Sequence, residues 1–135
     1  MASDSVHGKI FSKDEADKLY GPVLFSVKFS FSDFKNIIAK TKSNVMFRFE
    51  GEELYIFDNK RNIIYPETPN RSFQSSDVLK NYSMSVVDEL VSGAESAGVT
   101  DGDDAVVVEQ RKEVVSVSTK VQTMEVAVDC PPICS

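Results

Sequence analysis

Apolar and polar residues follow a strand-then-helix pattern that occurs twice along this chain. In the first copy, apolar residues occupy every second position from Val23 to Phe31, which is typical of a half-buried strand. Ser32 is predicted to be the N-cap of the helix that follows. The apolar stripe of this helix consists of Phe34, Ile37, Ile38 and Thr41. Three short strands are then predicted, up to Tyr65.

The same order of elements returns between about Val78 and Val128. A strand is followed by Ser85 and Asp88, whose spacing predicts the N-terminus of a second helix. The apolar stripe of that helix consists of Val86, Val87, Leu90, Val91 and Ala94. A hairpin and a final strand, Val121–Val128, complete the second copy.

The serines that precede the two helices align with each other. Ser30 and Ser83 are separated by 53 residues, and so are Ser32 and Ser85. Identity between the copies is otherwise sparse, and two unrelated strand–helix units would share the same caps and periodicity. An internal duplication and a chance similarity therefore both stay open. The predicted fold class is α+β, with tandem βαβββ units and two helices on one face of antiparallel sheet.

The predicted organisation is that of a single domain with terminal additions. Before the first copy, Ser12 and Glu15 form a capping box, and Gly21 with the following proline ends the short helix that it starts. Along the chain we predict an N-terminal extension with this helix (1–22), one α+β domain (23–128) with halves 23–65 and 78–128, and a flexible tail (129–135).

Composition is that of a globular protein, with 41% hydrophobic and 27% charged residues in 135. No signal peptide or membrane span is predicted, and no membrane partner is expected. The two cysteines, both near the C-terminus, cannot form a disulfide framework. We therefore expect a cytoplasmic, reducing location. The net charge of −6 disfavours a free-standing nucleic-acid binder.

The order strand, helix and three strands, present twice, resembles one domain of a DNA sliding clamp. The resemblance covers about Val23–Val128. It implies two helices side by side, sheets on the outside of a ring, and helix lysines that face duplex DNA. The lysines that match this role are Lys35, Lys40 and Lys42. The second helix departs from the pattern because it carries Asp88, Glu89 and Glu95.

We expect a non-enzymatic, clamp-like scaffold that forms a homo-oligomer and binds protein partners, with DNA-associated processivity as one version of this function. The final strand is the candidate edge for self-association, because an unpaired strand edge can pair with another copy. The alternating residues of that edge are Val121, Thr123, Glu125 and Ala127. No cofactor is expected.

Candidate chemistry is sparse. His7 is the only histidine, so a classical Ser–His or Cys–His nucleophile has no obvious base. Cys130 and Cys134 flank two prolines and could close a small disulfide or offer two soft ligands to Zn²⁺ or Cu⁺. A thiol- or metal-binding protein is therefore the alternative function, and an incidental pair in a disordered tail is the third reading. Two acidic clusters are expected to be solvated turns: Glu50, Glu52 and Glu53, and Asp101, Asp103 and Asp104.

Overall fold

The strands of this chain form antiparallel sheets with three helices attached, which confirms the predicted α+β class. The computed structural model describes residues 8–125 and 127–130. Within these ranges it contains three helices and two five-stranded antiparallel sheets. His7 and Cys134 lie outside the described residues.

The elements alternate along the chain in the order that the sequence pattern predicts, with one additional strand at each end. They are β1 (Lys9–Ser12), α1 (Lys13–Tyr20), β2 (Phe25–Phe29), α2 (Phe31–Ile38), β3 (Asn44–Glu50), β4 (Glu53–Phe57), β5 (Ile63–Tyr65), β6 (Leu79–Ser83), α3 (Met84–Ser96), β7 (Val106–Gln110), β8 (Val115–Ser118), β9 (Gln122–Glu125) and β10 (Val128–Cys130).

Each sheet combines strands from both halves of the chain. Sheet A has the strand order β1-β9-β8-β7-β2, and sheet B has the order β10-β6-β3-β4-β5. The first strand of one half pairs with the strand that follows the helix of the other half: β2 pairs with β7, and β6 pairs with β3. The pairing of the two halves is therefore reciprocal. A common origin of the two units stays a prediction.

The main core is formed by both sheets together with α2 and α3. The apolar stripe predicted for the second helix is buried in full: Val86, Val87, Leu90, Val91 and Ala94. Tyr82 of sheet B reaches across this core. Its hydroxyl lies 2.7 Å from the carbonyl oxygen of Val115 and 3.1 Å from that of Met124, both in sheet A. The phenol thus connects the two sheets through the interior.

Helix α2 begins two residues earlier than predicted. Ser30, not Ser32, is the N-cap, and its hydroxyl oxygen accepts the N–H of Asp33 at 3.0 Å. The earlier start places Phe31 inside the helix, where it is buried together with Phe34 and Ile38. Of the predicted stripe, Ile37 is half-buried and Thr41 lies after the end of the helix. Asp101 also caps this end, because its carboxylate accepts the N–H of Phe31 at 2.7 Å and the hydroxyl of Ser32 at 2.9 Å.

The start of α3 differs from the prediction in the same way. Its N-cap is Ser83 rather than Ser85. Ser30 and Ser83 are the pair that the sequence alignment matched at an offset of 53 residues. Both halves therefore enter their helix at corresponding serines.

The N-terminal segment contributes a strand that the sequence pattern did not predict. The capping box is confirmed: Ser12 accepts the N–H of Glu15 at 3.2 Å and donates its own N–H to the Glu15 carboxylate at 3.2 Å. Directly before it, β1 pairs antiparallel with β9. Leu19 of α1 is 62% exposed, whereas Ala16 is fully buried. The segment thus belongs to sheet A.

The segment between β5 and β6 covers the face of sheet B that points away from the main core. Phe73 packs edge-on against Tyr55 and Phe57, with ring centroids 5.0 and 5.2 Å away. The guanidinium of Arg48 lies 5.7 Å from the centre of the Phe73 ring. A second, smaller core results on this face.

Strand β10 corrects the predicted tail. Asp129 and Cys130 pair with Lys80 and Leu79 of β6, so these two residues extend sheet B rather than forming a flexible tail. Among the described helices, none is both long enough and apolar enough to cross a membrane.

Candidate functional site

Two sheet edges are covered by the terminal strands, and two are not. Strand β1 covers β9, and β10 covers β6. In the order of the two βαβββ units, β6 corresponds to β2 and β9 corresponds to β5. Over the described residues the outer strands are therefore β1 and β2 in sheet A and β10 and β5 in sheet B. Of these four, β2 and β5 belong to the two β-α-β-β-β runs and are not covered by a terminal strand. We call these two strands the open edges.

The open edges lie beside each other. The ring centroids of Phe29 on β2 and Tyr65 on β5 are 5.2 Å apart. A groove of about 560 Å³ lies between α2 and these strands, and a hollow of about 250 Å³ continues past Val27. The charged residues that line the groove are Lys28, Asp33, Lys40 and Glu67. Those that line the hollow are Glu52 and Glu53.

The ladder fixes which backbone groups of β2 point outward. Arg111 donates its N–H to the carbonyl of Val114 at 2.9 Å, so alternate residues of β7 bond to β8 and the intervening residues bond to β2. Val27 lies opposite Val108, one of the residues of β7 that bond to β2. The N–H and C=O groups of Ser26 and Lys28 therefore point away from β7, along the open edge.

The chain also exposes apolar side chains at the first residue of β2 and at the two residues before it. Val23 is 39% exposed, Leu24 56% and Phe25 36%. Three consecutive exposed apolar residues at a sheet edge are a feature of surfaces that contact other proteins.

The edge predicted for self-association is not an edge, so that prediction is wrong. Strand β9 lies between β1 and β8. Thr123 and Glu125 are fully buried, and Ala127 packs against the main core. Val121 is 41% exposed but precedes the strand. The missed strand β1 is the reason, since it takes the pairing side that the sequence left open.

The three lysines predicted to face DNA are all exposed, but only Lys35 belongs to α2. Lys40 and Lys42 follow the helix, which ends at Ile38. The ammonium group of Lys35 lies 2.6 Å from the carboxylate of Glu95 on α3. Helices α2 and α3 thus lie side by side, with a hollow of about 380 Å³ between them.

A charged cluster lies under α1, on the face of sheet A opposite the main core. Arg111 is only 1% exposed, and its guanidinium donates to the Asp17 carboxylate at 2.8 Å and to the carbonyl of Gly21. It also lies 3.5 Å from Glu109 and 3.4 Å from Glu125. One guanidinium therefore serves three carboxylates.

Glu125 is the least satisfied member of this cluster. It is fully buried, and neither of its carboxylate oxygens accepts a hydrogen bond among the described residues. Burial raises the pKa of Glu125 from 4.5 to about 7, and the negative charge of Glu109 adds to this rise. The positive charge of Arg111 opposes it. The carboxyl group thus titrates near neutral pH.

Sequence reasoning missed this cluster because it lies on a face of sheet A where β8 and β9 carry polar residues at every second position. Such alternation predicts a face in water. Helix α1 packs over this face of sheet A and shields the cluster from water, and its own Ala16 is fully buried there. The sequence does contain a signal for this face, namely polar residues that recur two positions apart. They are Glu109, Arg111, Ser116, Ser118, Thr123 and Glu125.

Cys130 is buried and disulfide-bonded, and its sulfur lies 3.6 Å from the guanidinium of Arg61. A disulfide sulfur is not a thiolate ligand. In residues 8–125 and 127–130, no group of three or more His, Cys, Asp or Glu side chains could hold a metal ion. Asp101, from the cluster expected to be solvated, is exposed and also caps α2, and the N–H of Phe31 lowers the pKa of its carboxyl group.

Comparisons with known proteins supply no family. No protein-family model, curated protein or solved structure matches the chain. A function can therefore be inferred only from the geometry of the site, above all from β2 and β5.

Proposed function

We propose that this chain is a non-catalytic, clamp-like scaffold that self-associates and binds protein partners by strand addition at its open edge β2. The proposal rests on one observation: strands in corresponding places of the two halves differ in whether a terminal strand pairs with them. The terminal strands β1 and β10 cover β9 and β6 and become outer strands themselves, whereas no terminal strand covers β2 and β5. An edge with outward N–H and C=O groups is a template for a strand from another chain.

The physical case for strand addition rests on two properties of β2. Its backbone offers donors and acceptors at Ser26 and Lys28, and main-chain hydrogen bonds give affinity without requiring a particular sequence. Phe25, its first residue, and the two residues before it, Val23 and Leu24, expose apolar surface that an added chain would remove from water. Backbone pairing and apolar burial would act at the same place.

The test is the mass of the protein in solution, measured by size-exclusion chromatography with light scattering. We expect wild type to exceed the 15.0 kDa of one chain. Ser26→Pro removes an outward N–H without removing a bond to β7, so this variant should elute as one chain. Ser26→Ala keeps the N–H and is the matched control. A wild-type monomer at every concentration would remove self-association from the proposal.

Duplex DNA is not included in the proposed function. Near Lys35, Lys40 and Lys42 the two helices expose four carboxylates, and these offset the attraction of the lysines for phosphate. The carboxylates belong to Asp33, Asp88, Glu89 and Glu95. Salt-sensitive binding of duplex DNA by wild type, lost in the double variant Lys35→Glu with Lys40→Glu, would add DNA as a partner.

A further inference from the structure

Of the two open edges, β2 is the one suited to pair with another strand. Strand β5 has three residues, Pro66 follows it directly, and its register with β4 is irregular. Short strands and proline are features that protect an edge from further pairing. Strand β2 has five residues without proline. The terminal strands β1 and β10 are also outermost, but they have only four and three residues. Strand β2 is thus the longest outer strand and the best suited to pair with another chain.

We propose that β2 pairs antiparallel with β2 of a second copy, around a twofold axis that passes between the two Val27 residues. This inference rests on the proposed function and names its partner and geometry. In this register Ser26 of one copy lies opposite Lys28 of the other, and the outward backbone groups of both residues form the new ladder bonds. The two A sheets then join into one continuous sheet of ten strands.

The length of β2 selects this register over its neighbours. A twofold axis at Val27 pairs all five residues of the strand with all five of its partner. An axis at Ser26 or at Lys28 pairs only three. The axis at Lys28 also places two ammonium groups directly opposite each other, which destabilises a strand pair.

The side chains are self-complementary in the same register. Phe25 lies opposite Phe29 of the second copy, an aromatic cross-strand pair that forms twice. Lys28 lies opposite Ser26, so its charge meets a small polar residue.

The terminal strands of the chain give a precedent for this pairing. Both β1 and β10 add to their sheets as antiparallel strands of three or four residues. Sheet edges of this domain thus accept short antiparallel strands. A five-residue strand from a second copy would meet the same geometry.

The test is disulfide cross-linking of the double variant Ser26→Cys with Lys28→Cys. Both residues are exposed, so the substitutions leave the core intact. A mixture of ¹⁵N-labelled and unlabelled chains is oxidised, and cross-linked peptides are identified by mass spectrometry. We expect disulfides between position 26 of one isotope and position 28 of the other. Each single variant is the control and should give several-fold less covalent dimer.

Two results would overturn this inference. If light scattering shows an oligomer that Ser26→Pro dissociates, but the cross-links join position 26 to 26 or 28 to 28, the proposed function stands and this register is wrong. If no covalent dimer forms and the protein has the mass of one chain, the inference and the self-association part of the proposed function both fail.

Discussion

The guanidinium of Arg111 lies 3.4 Å from the carboxylate of Glu125, and both side chains are buried beneath α1. Arg111 also contacts two further carboxylates, those of Asp17 and Glu109. Its single positive charge cannot neutralise all three acids. The domain therefore contains a buried group whose protonation is coupled to folding.

Glu125 should make the protein less stable as the pH rises. Its pKa is raised from 4.5 to about 7 in the folded state, so the folded protein binds more protons than the unfolded chain between these values. The free energy of unfolding then decreases by about 3 kcal/mol from pH 4.5 to pH 8. Glu125→Gln should remove most of this decrease, as measured by urea unfolding at several pH values.

The control for that experiment is Glu113→Gln. Glu113 is exposed on the turn between β7 and β8, and its loss should leave the pH profile unchanged. A Glu125→Gln protein that follows the wild-type profile would show that Glu125 is ionised in the folded protein throughout this range.

Removal of Arg111 should destabilise the protein strongly at pH 8. Arg111→Met leaves buried carboxylates without their counter-charge, and the expected loss is about 3–5 kcal/mol. The double variant with Glu125→Gln should lose less than the two single effects predict, by about 0.5–3 kcal/mol of coupling. Lys112→Met, an exposed neighbour, is the control. Simple additivity of the two substitutions would show that the two groups do not interact.

The N-cap assignment of α2 can be checked by two alanine substitutions. Ser30→Ala removes the hydroxyl that accepts the N–H of Asp33 and should lower the free energy of unfolding by about 1 kcal/mol. Ser32→Ala removes an exposed hydroxyl that donates to Asp101 and should cost less. A larger loss for Ser32→Ala, measured by chemical denaturation, would return the N-cap to the position that the sequence pattern predicts.

Gly8 should tolerate no side chain. Its φ of +114° favours glycine, and an added Cβ would lie 2.6 Å from the ring of Tyr82. Gly8→Ala should therefore lower stability by about 1–3 kcal/mol. Gly102→Ala is the matched control, since its nearest contact would be 3.9 Å away. Equal melting temperatures for the two variants would contradict the close approach of this segment to Tyr82.

Elements with a strong period were predictable from the sequence. In α3 five buried residues follow helical spacing, and the sequence pattern predicts all five, because an amphipathic stripe is visible without knowing what packs against it. The capping box at Ser12 and Glu15 was equally local. Helices α2 and α3 each begin two residues before the predicted start, because several serines before a helix satisfy the same local rule.

The candidate site was not predictable, because it depends on contacts between distant parts of the chain. Strand β1 has four residues, and its partner β9 lies more than 100 residues away. Without β1 in place, β9 has an open side, which led to the wrong edge. Likewise, the acidic character of Glu125 predicts exposure, and only the packing of α1 buries it.

The central claim is that the outward backbone groups of β2 pair with a second copy, and amide hydrogen exchange at Ser26 and Lys28, followed by NMR, measures this pairing directly. We predict that both amides become protected as protein concentration rises, while Ser26→Pro loses protection at Lys28. Fast exchange of both amides at every concentration, with the rest of sheet A protected, would contradict the account.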